Sequence, residues 1–280
     1  MNALSPAVEV RRFASGDVEI TADLAGPPDG PPVILLHGGG QTRGAWGGAL
    51  AEGARRGFRM ISADLRGHGE SGWSPSADYA MAAHASDIAA IARTLNTAPY
   101  LVGASLGGMA ALTYAALGHP LAGLVMVDIA PSVNTAGTDK ILAFMHSAPD
   151  GFASVEEAAD AVAAYLPHRP RPKDTSGLLR NLRLRNGRYY WHWDPRMFQR
   201  DRPPRDVDGL RDAARGLTAP TLLVRGRLSD VLSEDGARDF LALVPHAEYA
   251  DIAGADHMVA GDRNDAFNDA VFAFLQRHAR

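Results

Sequence analysis

The stretch that most constrains this chain runs Pro99-Tyr100-Leu101-Val102-Gly103-Ala104-Ser105-Leu106-Gly107-Gly108. A short apolar run ends in Gly-x-Ser-x-Gly, and the Ala-rich sequence from Met109 to Leu117 then reads as a helix. This order predicts a strand, a sharp turn at Ser105 and a helix, with the serine hydroxyl pushed out of the turn. So tight a turn brings strand and helix backbone together, and a Cβ at Gly103 or Gly107 would clash. Small residues at both positions are a steric requirement.

The remaining sequence supplies a sheet for that turn to stand on. Val8 to Phe13 and Val18 to Leu24 alternate apolar and polar residues around Ser15-Gly16-Asp17, which predicts an antiparallel hairpin at a sheet edge. Val33-Ile34-Leu35-Leu36 is a continuous apolar run, as expected of a strand buried on both faces, and it leads into His37-Gly38-Gly39-Gly40. Residues 45–56 can form the next helix, Phe58 to Ala63 the next strand, and Tyr79 to Leu95 a helix. Leu121 to Ile129 follows the Ser105 helix as another buried strand. Strands alternating with helices imply a mostly parallel, twisted sheet with helices on both faces.

That alternation stops between about Ala130 and Leu217. This part holds a helical pattern from Ser154 to Tyr165, a Pro/Arg-rich passage from Pro167 to Pro172, a predicted helix near Leu178 to Arg185, and Tyr189-Tyr190-Trp191-His192-Trp193-Asp194-Pro195. It resumes with a strand at Thr221 to Val224, a helix at Glu234 to Leu243, a strand at Ala247 to Ile252 and a closing helix at Asp265 to His278. The expected organisation is a core of residues 1–130 and 218–280, with residues 131–217 inserted as a helical cap or lid.

The chain has 280 residues and 46% hydrophobic content, enough for one large core. Its net charge of -4 gives no pull toward nucleic acid or anionic membrane. With no Cys, disulfides, a thiol nucleophile and a thiolate metal site are excluded. Met1 to Arg12 lacks an apolar signal-like core, and no window has 18 uninterrupted apolar residues, so the expected location is cytoplasmic.

If Ser105 is a nucleophile, three things must converge on it: a base, an acid that orients the base, and donors for an oxyanion. His257, in Gly254-Ala255-Asp256-His257, follows the last strand, where the carboxyl edge of a parallel sheet brings side chains beside the turn. For the acid, Asp230 follows the strand Thr221 to Val224, and Asp128 ends the strand Leu121 to Ile129. Either keeps the chain order Ser, Asp, His, and the reading favours Asp230 because a loop carboxylate turns easily toward His257. The oxyanion donors are expected to be the N–H groups of Leu106 and Gly39. His37-Gly38-Gly39-Gly40-Gln41-Thr42 has neither a dinucleotide fingerprint nor a Gly-Lys-Ser/Thr ending, which argues against nucleotide binding.

Together, His37-Gly38-Gly39-Gly40, Asp64-x-Arg66-Gly67-His68-Gly69-x-Ser71, Gly103-Ala104-Ser105-Leu106-Gly107-Gly108, Asp230 and Gly254-x-x-His257 resemble the α/β-hydrolase fold superfamily over essentially the whole chain. The likeness is nearest to small capped esterases and lactonases of the peroxidase/epoxide-hydrolase-like branch. It implies an α/β-hydrolase fold, and a structural role for the turn from Asp64 to Ser71. Members commonly place the acid three residues after the Gly matching Gly226, where this chain has Ser229 and Asp230 falls one place late; some relatives use the position matching Asp128. Members with dehalogenase or epoxide-hydrolase activity need an Asp nucleophile, which Ser105 does not supply.

The expected activity is therefore hydrolysis of a small carboxylic ester or lactone through an acyl group on Ser105, with no metal and no organic cofactor. Carbon–carbon bond hydrolysis and perhydrolysis use the same constellation, and a non-catalytic small-ligand receptor uses the same fold. Tyr190, Trp191, His192 and Trp193 are the candidate substrate-binding residues of the cap. Residues 168–205 carry ten Arg and Lys173 against Asp174, Asp194 and Asp201, so a basic roof that steers anionic substrates is a further expectation.

Overall fold

The structure is a computed structural model that describes residues 6–167, 171, 174–198, 206–257 and 264–279. The apolar runs of the sequence form the middle of one sheet. The first half of the chain gives β1 (Glu9–Ser15), β2 (Val18–Ala25), β3 (Pro32–Leu36), α1 (Gly47–Arg55), β4 (Arg59–Ala63), α2 (Met81–Ala92), β5 (Tyr100–Ala104), α3 (Leu106–Ala116) and β6 (Gly123–Val127). A long excursion follows, with α4 (Thr135–Met145), α5 (Val155–Tyr165), β7 (Leu182–Arg185) and β8 (Arg188–Trp191). The chain then returns through α6 (Val207–Arg215), β9 (Thr221–Gly226), α7 (Glu234–Leu243), β10 (Glu248–Ile252) and α8 (Asn264–His278).

The sheet order is β1-β2-β4-β3-β5-β6-β9-β10. Its first two pairings are antiparallel, as the alternating hairpin pattern requires, and the other pairings are parallel. β5 lies between β3 and β6, with Val102 opposite Leu35 on one side and Val125 on the other. The carboxyl ends of β3, β5, β6 and β9 thus lie side by side, and the loops that leave them share one rim.

Helices cover both faces. On one, Ile88, Met109, Leu112 and Phe240 pack with Ile34, Leu101 and Met126; on the other, Leu50, Phe267 and Phe272 pack with Leu35, Val102 and Val125. Residues between β6 and β9 build a smaller apolar cluster of their own around Met145, Phe152, Trp191 and Trp193. Ser154 caps α5 by accepting from Glu157 N–H, while the Glu157 carboxylate accepts from Ala153 N–H at 2.6 Å, which fixes where that helix starts.

The helix expected near Leu178 to Arg185 does not form. Ser176–Asn181 is a short 3-10 turn, and β7 pairs antiparallel with β8 in the register Leu182 to Trp191 and Arg185 to Arg188. The cause is Asn186-Gly187, both at positive φ (50° and 76°), the two-residue turn whose twist suits a hairpin. None of the described helices is long and apolar enough to cross a membrane.

Candidate active site

Ser105 occupies the turn between β5 and α3 at φ 47° and ψ -113°, a backbone region costly for any residue with a Cβ. The surroundings hold it there. Ser105 N–H donates to Val127 O at 3.2 Å, and Met109 N–H donates to Ser105 O at 3.1 Å. A Cβ at Gly103 would stand 2.5 Å from Gly107 O, and one at Gly107 would stand 2.4 Å from Leu36 O. Strand and helix meet as closely as the motif implied.

Asp128 sits just beyond β6, fully buried and itself at φ 51°. Its Oδ1 accepts from Gly226 N–H at 2.8 Å, and its Oδ2 accepts from the Ser229 hydroxyl at 2.5 Å and from His257 Nδ1 at 2.7 Å. The contact from His257 Nδ1 to this carboxylate fixes the imidazole as the Nδ1–H tautomer, leaving Nε2 as an acceptor. His257 lines the same cavity as Ser105.

The expectation for Asp230 is overturned. Its carboxylate is half exposed and bonds Lys140 Nζ at 3.3 Å, away from His257. The physical reason lies one residue earlier, where Ser229 turns inward to Asp128 and its Oγ accepts from Val231 and Leu232 N–H, both at 3.1 Å. That turn directs the next side chain outward. The readable signal was Ser229 itself, a hydroxyl where an acid is common.

The loop after β3 presents three consecutive glycines with separate fates. Gly38 N–H donates to Gln41 Oε1 at 2.9 Å, and Gly40 N–H donates to His68 Nε2 at 3.0 Å. Gly39 N–H has no partner among the described residues, and Gly39 lines the cavity with Ser105. Leu106 opens α3, so its N–H is among those a helix leaves unpaired. These are the two N–H groups that the sequence offers as candidate oxyanion donors.

Three buried histidines back this loop. His37 Nδ1 donates to Gly38 O at 2.8 Å while its Nε2 accepts from Leu65 N–H at 3.0 Å. His68 Nδ1 donates to Arg66 O at 3.2 Å. Burial holds His37 and His68 below the ordinary imidazole range and lowers His192 to about 4, so each carries one donor and one acceptor. The turn from Asp64 to Ser71 that supplies His68 is braced by hydrogen bonds and ion pairs. Arg43 and Glu70 N–H bond the Asp64 carboxylate, the Ser71 hydroxyl donates to Asp64 O, and Arg66 binds Asp87 through two 2.7 Å bonds.

A cavity of about 1320 Å³ opens above Ser105. It follows one face of α3 through Met109, Thr113 and Ala116, opposite Leu210 and Ala213, so it reaches roughly 16 Å from the serine at 1.5 Å per residue. It also extends beneath Phe144, Met145, Trp191 and Trp193. Trp191 and Trp193 line it, with rings stacked at 5.0 Å. Tyr190 and His192 do not, because an extended chain sends alternate side chains to opposite sides. His192 is buried against the core, and the Tyr190 ring packs on Gly151.

Five arginines of the basic stretch are likewise employed elsewhere. Arg183 donates to Gly69 O and lies with Arg185 over Trp73, Arg188 bonds Asp150 and Gly151 O, Arg196 pairs with Asp194, and Arg171 with Asp160. The charged residues that line the cavity are Asp78, Arg180 and Asp206 among those described. The other Arg and Lys residues of the stretch 168–205 (Arg169, Lys173, Arg200, Arg202 and Arg205) lie outside the described residues.

This architecture is that of the alpha/beta hydrolases, whose family profile matches residues 33–270; the chain belongs to that family. It is 31% identical to Esterase Rv0045c of Mycobacterium tuberculosis, over 96% of this chain and 90% of that protein. A solved structure of that esterase superposes with a TM-score of 0.78, covering 97% of this chain and 93% of the other. Identity is 29% to the sn-1-specific diacylglycerol lipase ABHD11 of Danio rerio, over 92% of this chain and 83% of that protein. It is also 29% to the 2-(acetamidomethylene)succinate hydrolase of Mesorhizobium japonicum, over 86% of both. With relatives named esterase, lipase and hydrolase, the chain is an enzyme of the alpha/beta hydrolase class.

Proposed function

We propose that this enzyme is a serine esterase that hydrolyses carboxylic esters with sizeable apolar groups, and that residues 131–217 form the cap over its substrate. Ser105 attacks the ester carbonyl as His257 Nε2 takes its proton, and Asp128 holds the imidazole and stabilises the cation that forms. Gly39 and Leu106 N–H groups receive the oxyanion. The proton passes to the leaving alkoxide, and water activated by His257 then releases the acid.

The observation that carries this reading is the 2.7 Å bond from His257 to buried Asp128 beside the positive-φ serine. The apolar cavity supports an acyl chain or ring over a compact anionic substrate, since two of the three charged lining residues named above are acidic. Relatives named esterase and diacylglycerol lipase agree with ester cleavage over carbon–carbon hydrolysis or perhydrolysis.

The test uses p-nitrophenyl esters of increasing acyl length. A burst of p-nitrophenol that disappears in Ser105→Ala supports the acyl-enzyme. Ligand binding without turnover would replace it with the receptor reading, and hydrolysis undiminished in Ser105→Ala would remove the serine from the mechanism.

A further inference from the structure

Three glycines in a row are the least rigid backbone the chain could place beside a reacting carbonyl, yet an oxyanion donor must be aimed before the charge develops. The rigidity comes from outside the loop. Each of the three peptide units from Gly38 to Gln41 is held by a different buried histidine. His37 donates to Gly38 O, His68 accepts from Gly40 N–H, and His192 Nε2 donates to Gly40 O at 3.2 Å. The rings form a string, with centroids 4.9 Å apart for His37 and His68 and 5.8 Å apart for His68 and His192.

His192 differs from the other two because it comes from the inserted segment. Its Nδ1 accepts from Gly69 N–H at 2.8 Å, while its backbone N–H donates to Asn181 O at 3.0 Å. Neighbours fasten the same strap to the core, for Asp194 N–H donates to Gly67 O at 2.8 Å and the Tyr79 hydroxyl donates to the Asp194 carboxylate at 2.5 Å. The peptide whose carbonyl His192 holds is the one whose N–H, on Gln41, donates to Gly38 O at 3.1 Å. Gly38 O in turn belongs to the peptide that carries Gly39 N–H. One chain of bonds therefore runs from the cap to the proposed oxyanion donor.

We infer that His192 is a positioning residue, through which the docked cap aims Gly39 N–H at the oxyanion by clamping the Gly40 carbonyl. This rests on the esterase reading of Ser105 and Gly39. It also gives the cap a second task besides shaping the pocket, since without that strap the glycine loop keeps two of its three clamps.

The two ring nitrogens of His192 can be separated by substitution. Asn carries its amide near the position of Nδ1 and keeps the Gly69 bond, whereas Gln reaches the position of Nε2 and keeps a donor for Gly40 O. The measurements are kcat and KM for p-nitrophenyl butyrate and the inhibition constant of a trifluoromethyl ketone; Ser105 Oγ adds to its unhydrated carbonyl carbon, the serine's hydroxyl proton passes to His257 and the carbonyl π pair moves to oxygen as the oxyanion. All rates are divided by active sites counted with a fluorophosphonate, so loss of folded protein does not enter.

In His192→Asn, kcat and ketone affinity should both fall roughly 10- to 100-fold, short of deleting a donor outright, with KM within about two-fold. His192→Gln should stay within a few-fold of the unsubstituted enzyme in all three. Equal behaviour of the two variants, or damage confined to Gln, would overturn the clamp and make His192 a brace for the Gly69 turn alone. Absence of Ser105-dependent turnover in the unsubstituted protein would overturn the esterase reading and the clamp with it.

Discussion

The loops that follow β6 and β9 each offer an aspartate within reach of the same rim, and they use it in opposite ways. Asp128 is fully buried, strained to positive φ, and takes bonds from Gly226, Ser229 and His257. Asp230 is half exposed and faces one lysine. A buried carboxylate must be fully satisfied to remain charged, whereas an exposed one is satisfied by water, so only the first can hold an imidazole in a single orientation. Chain order admitted both residues; the count of donors around each carboxylate separates them.

The sharpest way to break that contrast is to neutralise each acid in turn. Asp128→Asn should lower kcat about 10³- to 10⁴-fold, because the amide favours the wrong imidazole tautomer. Asp230→Asn should stay within about two-fold under the same assay, and a reversed pair of results would exchange the two assignments. Adding Ser229→Asp to Asp128→Asn moves a carboxylate to a position whose side chain already lies 2.5 Å from Asp128 Oδ2. The double variant should recover roughly ten-fold of the lost kcat, on the scale of a hydrogen bond to a charged group. No recovery would mean that the imidazole accepts an acid from β6 alone.

Smaller effects sharpen the same comparison. Ser229→Ala removes one of three donors from Asp128 and should lower kcat about ten-fold with KM little changed, again at the strength of a charged hydrogen bond. Lys140→Ala removes the partner of Asp230, and denaturant titration should show a stability loss below about 1 kcal/mol, as for other exposed pairs. A larger loss would show that the β9 loop depends on this ion pair.

Much of the architecture was legible because the core strands are continuous apolar runs between turn signals, and because Gly103 and Gly107 have steric reasons to be small. The places of Ser105, His257, Gly39 and Leu106 along one rim followed from the strand order. What escaped had its cause in tertiary contacts. Nothing near Asp128 in sequence announces Ser229 and Gly226 as its donors. Tyr190-Trp191-His192-Trp193 is one aromatic run in sequence, but alternation along an extended chain divides it between two sides. The hairpin Leu182–Trp191 was legible in Asn186-Gly187, yet the surrounding Leu and Arg spacing resembled a helix.

In the proposed mechanism Asp128 and His257 together activate Ser105, and the most direct measurement is the second-order rate at which a fluorophosphonate modifies that serine. It is read by intact mass in the unsubstituted enzyme, Asp128→Asn and Asp230→Asn. The first and third should react at matching rates, with Asp128→Asn slower by about 10³-fold. Fast modification of Asp128→Asn alongside slow modification of Asp230→Asn would contradict the assignment.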